Sequence, residues 1–526
     1  MSFDNIKQQK LREVQNHAQQ RQIIQALRLS KELIEEYPNF DQAWFSRAFL
    51  LFQSNDIEGA IEAISKAREI NPNDISYAFQ EIMMYEALNR TDIAFPLAQK
   101  LAGKNLNNSR MYEKIAEILE TNEDFEAALK LFRHLSTVEP NKTAWLLKQA
   151  SVLQNLGNID EAIRLTENVL KIEPYNPDGL YLQSQYKKYS KSNNHLEVLN
   201  AASLKRRFSI QEKAKIFFAL AKELEDCQQY DESFEARHKG ADLFRSCFNY
   251  DVQSDIDFMR QIQVEYSQEF VQQKSSQNMT DRPIFIVGLP RSGTTLLDRI
   301  ITSHSDVKAA GELKQLNKCV QHGLQNIKTN SKVTRTEMVV ASKQLDFEQL
   351  GQDYIQTSAP IAGNKPRFTD KFPQNSYFVG MILKALPNAK IIIMQRHPIS
   401  VCYAVFKQLF SNDSYPFSYN LEEMAKYYNQ HNQLLRHWQK IGGNSVKTVC
   451  YEDLVNDLET QARDVLEFLN LSWQPQCLDF HKNKQPTATA SASQVREKLY
   501  NSSVDLWRHY EKHLQPLIKH LDLTDN

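Results

Sequence analysis

Residues 283–302 decide the fold of the second half of the chain. They read Pro283-Ile-Phe-Ile-Val-Gly-Leu-Pro-Arg-Ser-Gly-Thr-Thr295, then LLDRIIT. PIFIV is a short apolar run suited to a buried strand, and LLDRIITSH has helical character. Strand, glycine loop and helix together make an anion-binding arrangement. The glycines let the backbone curl, its amides turn inward, and the helix N-terminus adds positive potential. The loop departs from the nucleotide-triphosphatase motif GxxxxGK[ST], because Thr294 stands where that motif has lysine. Transfer of a γ-phosphate is therefore disfavoured. Arg291, Ser292, Gly293, Thr294 and Thr295 are left to hold an anion.

A second strand–helix unit follows at Lys390–Met394, with Arg396-His-Pro opening a helix expected over 399–410. Pro398 suits a first helical position. An arginine at such a corner can clamp a phosphate bidentately.

PxRSGTT after a buried strand resembles the 5′-phosphosulfate loop of sulfotransferases, whose donor is 3′-phosphoadenosine-5′-phosphosulfate (PAPS). Within that superfamily residues 282–520 are most similar to tyrosylprotein sulfotransferases and their repeat-bearing bacterial relatives. The resemblance implies Glu312, in Gly311-Glu312, as catalytic base. It implies Lys371, in TDKFPQN, beside the bridging oxygen, and Ser491, in SASQV, near the leaving oxygen. It places Arg396 on the 3′-phosphate and Tyr451, in VCYEDL, beside the adenosine. The family serine eight residues after the arginine is here Ala404, so Ser400 or Lys407 is expected to substitute. These residue types suit sulfuryl transfer, which like phosphoryl transfer is mostly positioning and charge stabilisation. No metal is expected. His304 is read as structural and Cys402 as packing.

Upstream, Ala26, Ala60, Ala94, Ala128 and Ala162 are spaced 34 residues apart. Pro38, Pro72, Pro140 and Pro174 lie on the same grid, with Leu106 in the missing place. Ala48, Ala116 and Ala150 each precede the corresponding alanine by 12 residues. The period resembles the tetratricopeptide repeat, a helix–turn–helix in which small residues let two helices approach. Five units are clear to about residue 176. A degenerate sixth covers about 177–208, and a seventh with Ala221, Leu224 and Ser233 is displaced by about three residues.

The expected architecture is an N-terminal all-α tetratricopeptide-repeat solenoid over 1–250 and a connecting segment over 251–281 with a helix in its first part. A C-terminal α/β P-loop-like sulfotransferase domain with a central parallel sheet occupies 282–526. Because the phosphate motifs lie after residue 283, residues 251–526 are expected to fold and bind donor alone. Glycine usage agrees with two differently built halves: of 14 glycines, five lie in residues 1–281.

The charge balance, 63 Lys+Arg against 64 Asp+Glu, gives no basic footprint for nucleic acid. Apolar runs are too short to span a membrane. Six cysteines without CxxC make neither a disulfide framework nor a zinc site. The start MSFDNIKQQK is polar, so a cytoplasmic location is expected. The leading expectation is a PAPS-dependent enzyme acting on an acceptor hydroxyl, with a peptide or protein partner in the repeat groove. The acceptor stays open between a peptide tyrosine, a glycan and a small molecule, since Leu313-Lys314-Gln315-Leu316 lacks the family's basic stretch. The alternative is a repeat-based interaction protein with a degenerate transferase domain.

Overall fold

The computed structural model describes residues 3–523 except 274–275, 328–333, 411–413, 484, 487–488, 490–493 and 498–503. By internal contacts the chain forms two compact units. One is Met1–Pro140 with Gln356–Ile361; the other is Asn141–Ile355 with Ala362–Asn526.

The first unit is built of paired antiparallel-type repeats. Its helices include Ile23–Glu36, Asp41–Gln53, Ile57–Ile70, Ile75–Ala87, Thr91–Ala102, Ser109–Thr121 and Phe125–Val138. The period is explained by burial. Ala26, Ala48, Ala60, Ala94, Ala116 and Ala128 are all fully buried, so a larger side chain at any of them would push two helices apart. The turns keep the same period: Arg21, Asn55, Asn89 and Glu123 all have left-handed φ, between 58° and 64°. Pro38 and Pro72 lie just beyond the ends of their helices, where a missing amide hydrogen costs nothing.

The second unit begins with the same repeats. Gly157 continues the left-handed series at φ 84°. Ala150, Ala162 and Ala221 are fully buried. In the degenerate sixth repeat, helix Pro177–Tyr186 is followed by a short helix, Leu196–Ser203. The next left-handed turn falls at Gln228, before helix Tyr230–Arg245. In that seventh repeat Ser233 takes the small-residue position, and its hydroxyl donates to the carbonyl of Ala221 at 2.7 Å.

Residues 282–526 contain a five-stranded, wholly parallel sheet in the order β2-β3-β1-β4-β5. The strands are β1 (Pro283–Gly288), β2 (Val307–Ala309), β3 (Arg367–Asp370), β4 (Lys390–Gln395) and β5 (Val446–Cys450). A parallel sheet is covered on both faces, which is why its central strands are continuous apolar runs. Ile284, Phe285, Ile286 and Val287 of β1 and Ile391, Ile392 and Ile393 of β4 are fully buried. The chain leaves β1 toward β2 and leaves β4 toward β5, in opposite directions. The carboxyl ends of β1 and β4 therefore flank the crevice where such sheets bind ligands.

Three sequence expectations are modified. The helix after Arg396 is Pro398–Phe406 and ends before Lys407, four residues short of the expected end. The spacing of Trp507, Tyr510, Leu514 and Leu517 reads as the apolar face of a terminal helix; they are buried, but on a 3₁₀ turn (Leu506–Tyr510) and one α turn (Gln515–Ile518), because Pro516 cannot continue a longer helix. Residues 251–281 carry two helices, Val252–Glu265 and Gln268–Gln272. Ile256, Met259, Ile262 and Tyr266 are buried there, and the Tyr266 hydroxyl pairs with Ser342 at 2.7 Å. This segment is packed structure of the second unit.

The seventh repeat also shares a buried ion network with the sheet domain. Glu225 accepts the Lys407 ammonium and, at 2.7 Å, the Tyr510 hydroxyl. Arg237, 2% exposed, donates to the carbonyl of Lys407 at 3.0 Å. Burial pushes the Glu225 carboxyl up, but Lys407 and Arg237 outweigh it and hold the group at about 2. A carboxyl depressed in the fold stabilises it above its unfolded pKa and loses that contribution as pH falls through the folded value. Stability is therefore expected to fall between about pH 4.5 and pH 2, with Glu225 contributing roughly 3 kcal/mol of the loss. Glu225→Gln should flatten that part of a denaturant-midpoint profile and lower stability at pH 7. A variant profile parallel to the parent's would contradict the assignment.

Candidate active site

The loop between β1 and helix Thr294–Thr302 has left-handed φ at three positions: Gly288 (148°), Arg291 (67°) and Gly293 (104°). Such turns point successive amides to one side and form an anion-binding concavity. Both glycines are required by space as well as by φ. A Cβ on Gly288 would lie 2.6 Å from the carbonyl oxygen of Met394, and one on Gly293 would lie 2.5 Å from the Tyr451 ring. Ser292, Thr294 and Thr295 are buried. The Ser292 Oγ makes no hydrogen bond among the described residues. An orphaned buried hydroxyl costs about 1–3 kcal/mol, and a bound anion would remove that penalty. The loop therefore fits a phosphate or sulfate group.

Glu312 and Lys371 are brought together by the sheet. Beyond the β2–β3 pairing, Ala310 donates to the carbonyl of Thr369 at 3.1 Å, and Lys371 donates to the carbonyl of Gly311 at 2.9 Å. Gly311 turns at φ 70°, and the next residue, Glu312, receives the Lys371 ammonium in an ion pair. Lys371 is 2% exposed, whereas Glu312 is 36% exposed by side chain. A buried ammonium thus faces an accessible carboxylate.

Two carboxyls that the sequence reading passed over support this pair. Asp298, on the helix after the loop, accepts the Thr369 hydroxyl at 2.6 Å and ties that helix to the end of β3. Burial raises its pKa, opposed by Thr369, Lys371 and Arg299. Asp370 accepts the Tyr354 hydroxyl at 2.9 Å, and burial pushes it up to about 7. The signal was available in part: LLDRII places Asp298 inside an apolar run, where a carboxylate needs a partner.

At the ends of β4 and β5, Arg396 donates to the carbonyl of Arg291 at 3.1 Å. Its guanidinium lies 4.5 Å from the Tyr451 ring centroid. Arg291, Gly293, Arg396 and Tyr451 are thus assembled across the β1/β4 crevice. Ser400 is buried on the following helix, and its hydroxyl donates to the carbonyl of Val504 at 3.2 Å. Lys407 pairs with Glu225. Ser491 lies outside the described residues. Its neighbour Thr489 accepts a 3.4 Å hydrogen bond from Thr295 of the loop. Arg299, 2% exposed, anchors the approach to this segment through the carbonyls of Asn483 and Gln485. Past it, Arg496 donates to the carbonyl of Asn155 at 2.9 Å, in the fifth repeat.

His304 is structural: Nε2 bonds the carbonyl of Ser472 at 3.0 Å and Nδ1 accepts from the amide of Asp306 at 3.1 Å. Cys402 is buried, and burial raises its thiol far above neutrality. Among the described residues no group of three His, Cys, Asp or Glu side chains is placed to hold a metal ion. Among them, too, no helix is long and apolar enough to cross a membrane.

An uncharacterized protein of Aquifex aeolicus (strain VF5) is 32% identical over 409 residues, covering 76% of this chain and 53% of that protein. The protein-tyrosine sulfotransferase of Drosophila melanogaster is 25% identical over 190 residues, 36% of this chain and 38% of that protein. The chain thus spans about half or less of the length of these two relatives. A solved sulfotransferase domain from the curacin biosynthetic pathway is 21% identical with a TM-score of 0.32, covering 44% of this chain and 91% of that domain. Residues 17–80 match the tetratricopeptide-repeat model, and residues 283–475 match the model of the sulfotransferase family. The chain accordingly joins an N-terminal tetratricopeptide-repeat region to a C-terminal sulfotransferase domain.

Proposed function

We propose that the C-terminal domain transfers the sulfuryl group of PAPS to an acceptor hydroxyl. The observation that carries this reading is the Glu312–Lys371 pair, held at the ends of β2 and β3 and tied through Asp298 to the helix of the phosphate loop. Bound donor supplies an activated sulfuryl group with a phosphate leaving oxygen. Glu312 takes the proton of the acceptor hydroxyl as its oxygen bonds to sulfur. Lys371 neutralises the oxygen of the bond that breaks. Arg291, the loop amides and the hydroxyls of Ser292, Thr294 and Thr295 hold the 5′-phosphate. Arg396 serves the 3′-phosphate, and Tyr451 lies on the adenosine side.

The acceptor we favour is a phenol, with protein tyrosine as the first candidate. Tyr415 lies near Glu312, and its ring packs at 4.7 Å from Phe410 and 6.0 Å from Phe417, an aromatic wall suited to a flat ring. The name of the Drosophila relative supports the same choice. The repeat groove is proposed to receive a peptide or protein partner.

Thr294 in place of the P-loop lysine gives a direct test of the donor. Adenosine 3′,5′-bisphosphate should bind by calorimetry and be displaced poorly by ATP. Equal affinity for the two would overturn the donor assignment.

A further inference from the structure

Between the phosphate loop, the end of β4 and helix Leu421–Ile441 lies a small cavity whose polar lining includes Ser292, Gln395, Arg396, His431 and Asn432. Ser292 and His431 are each 2% exposed. The imidazole is held in place on its other side. Its Nε2 lies 3.0 Å from the Ser376 hydroxyl, and the carbonyl of Ser376 accepts the Trp438 indole N–H at 2.8 Å. The ring lies 5.8 Å from the Tyr427 ring and nearly parallel to it, at 13°. Burial pushes the His431 pKa down to about 4, so the ring is neutral at ordinary pH, with one nitrogen a donor and the other an acceptor. Yet Nδ1 makes no hydrogen bond among the described residues, and neither does the Ser292 Oγ. Two buried polar atoms left over on one cavity are costly unless something inside it joins them. The cavity, about 20 Å³ measured to water centres, has room for one water. Gln395 Nε2 donates to Asn432 Oδ1 at 3.4 Å, and each amide carries a further hydrogen that such a water can accept.

We propose that His431 is a positioning residue of the transferase: a water in this cavity bridges its Nδ1 to Ser292 and turns the serine hydroxyl toward the donor's phosphate. Nε2–H donates to the Ser376 Oγ, which leaves the Nδ1 lone pair to accept one hydrogen of the water. The other hydrogen of the water goes to a lone pair of the Ser292 Oγ. With that lone pair filled from within the protein, Ser292 keeps its own hydrogen for the anion. A bridging water of this kind is worth nearly as much as a direct hydrogen bond. Helix Leu421–Ile441 is thereby coupled to the phosphate loop. His431 acts through Ser292 and not on the reacting atoms. The inference rests on the reading of the loop at 288–295 as the donor's phosphate site.

The test titrates the full chain by calorimetry with adenosine 3′,5′-bisphosphate and with inorganic sulfate. Two substitutions divide the functions of the imidazole. His431→Asn sets an amide oxygen close to the place of Nδ1 and gives up the bond to Ser376, whereas His431→Gln reaches Ser376 and gives up Nδ1. The asparagine variant should bind both probes within about twofold of the parent, and the glutamine variant about five- to tenfold more weakly, the worth of one hydrogen bond. A histidine that served only the packing around Ser376 and Trp438 would give the reverse order. Ser292→Ala should weaken binding by at least as much as His431→Gln, and combining the two should cost nothing further, since both act through one hydroxyl. A glutamine variant that binds as well as the asparagine variant, or losses that add in the double variant, would overturn the proposal. Loss of the fold in His431→Asn, read by thermal unfolding, would mark the histidine as structural and likewise overturn it. A parent that binds sulfate but not the bisphosphate would remove the donor reading, while the sulfate comparison would still decide the role of His431.

Discussion

Glu312→Ala should lower turnover by roughly 10²–10⁴-fold, the usual worth of a positioned general base. Affinity for adenosine 3′,5′-bisphosphate should change little, because the carboxylate is 36% exposed and its ion pair is with Lys371 rather than with a residue of the phosphate loop. One complication follows from the ion pair. Removing Glu312 leaves the buried Lys371 ammonium without its counter-charge, so some stability is lost as well. Glu312→Gln separates the effects: it keeps a hydrogen-bond acceptor for Lys371 yet cannot take a proton. Equal loss of turnover in both variants, with near-parental unfolding of the glutamine variant, is the expected pattern. A glutamine variant with near-normal turnover would contradict the assignment.

A chain beginning at residue 251 is expected not to fold into a binding-competent domain, whereas one beginning at 141 is. This reverses the simplest expectation from the motifs. Removing residues 141–250 strips Glu225 from Lys407 and takes the acceptor from the Tyr403 and Tyr510 hydroxyls. Leaving one member of a buried pair costs about 3–5 kcal/mol. Phe234 is lost from its place 5.9 Å from Phe406, and Phe244 from its place 4.9 Å from Tyr419. Glu423 also loses its bidentate partner Arg245. Against a domain stability of about 5–15 kcal/mol these losses are decisive. Thermal unfolding and bisphosphate binding of the two truncations would show it. Equal midpoints would mean that the repeats only decorate the domain.

The two truncations also show where the sequence was readable. The repeat period was legible because each fully buried alanine is a local requirement of two helices packed face to face. The phosphate loop was legible because Gly288 and Gly293 answer to backbone conformation and close approach, which few other residues tolerate. The sheet followed from the apolar runs of β1 and β4. What was not legible were partnerships across long sequence separations. Glu225 with Lys407 and Arg496 with Asn155 leave no local pattern, because charge in a helix face reads as solvated until its partner is placed. The same holds for Asp298 and Thr369, adjacent only once β3 lies beside the loop helix. Composition changes near residue 282, whereas the two compact units divide after Pro140, within the repeats.

The central claim is that Glu312, Lys371 and the loop at 288–295 together move a sulfuryl group. Its most direct measurement is transfer of radiolabelled sulfate from PAPS to a tyrosine-containing peptide or a simple phenol, with the full chain and with Glu312→Gln side by side. The account predicts labelled sulfate ester with the parent and a loss of about 10²-fold or more with the variant, both proteins binding adenosine 3′,5′-bisphosphate equally. Tight bisphosphate binding by the parent with no transfer to any hydroxyl, or transfer that Glu312→Gln leaves intact, would contradict it.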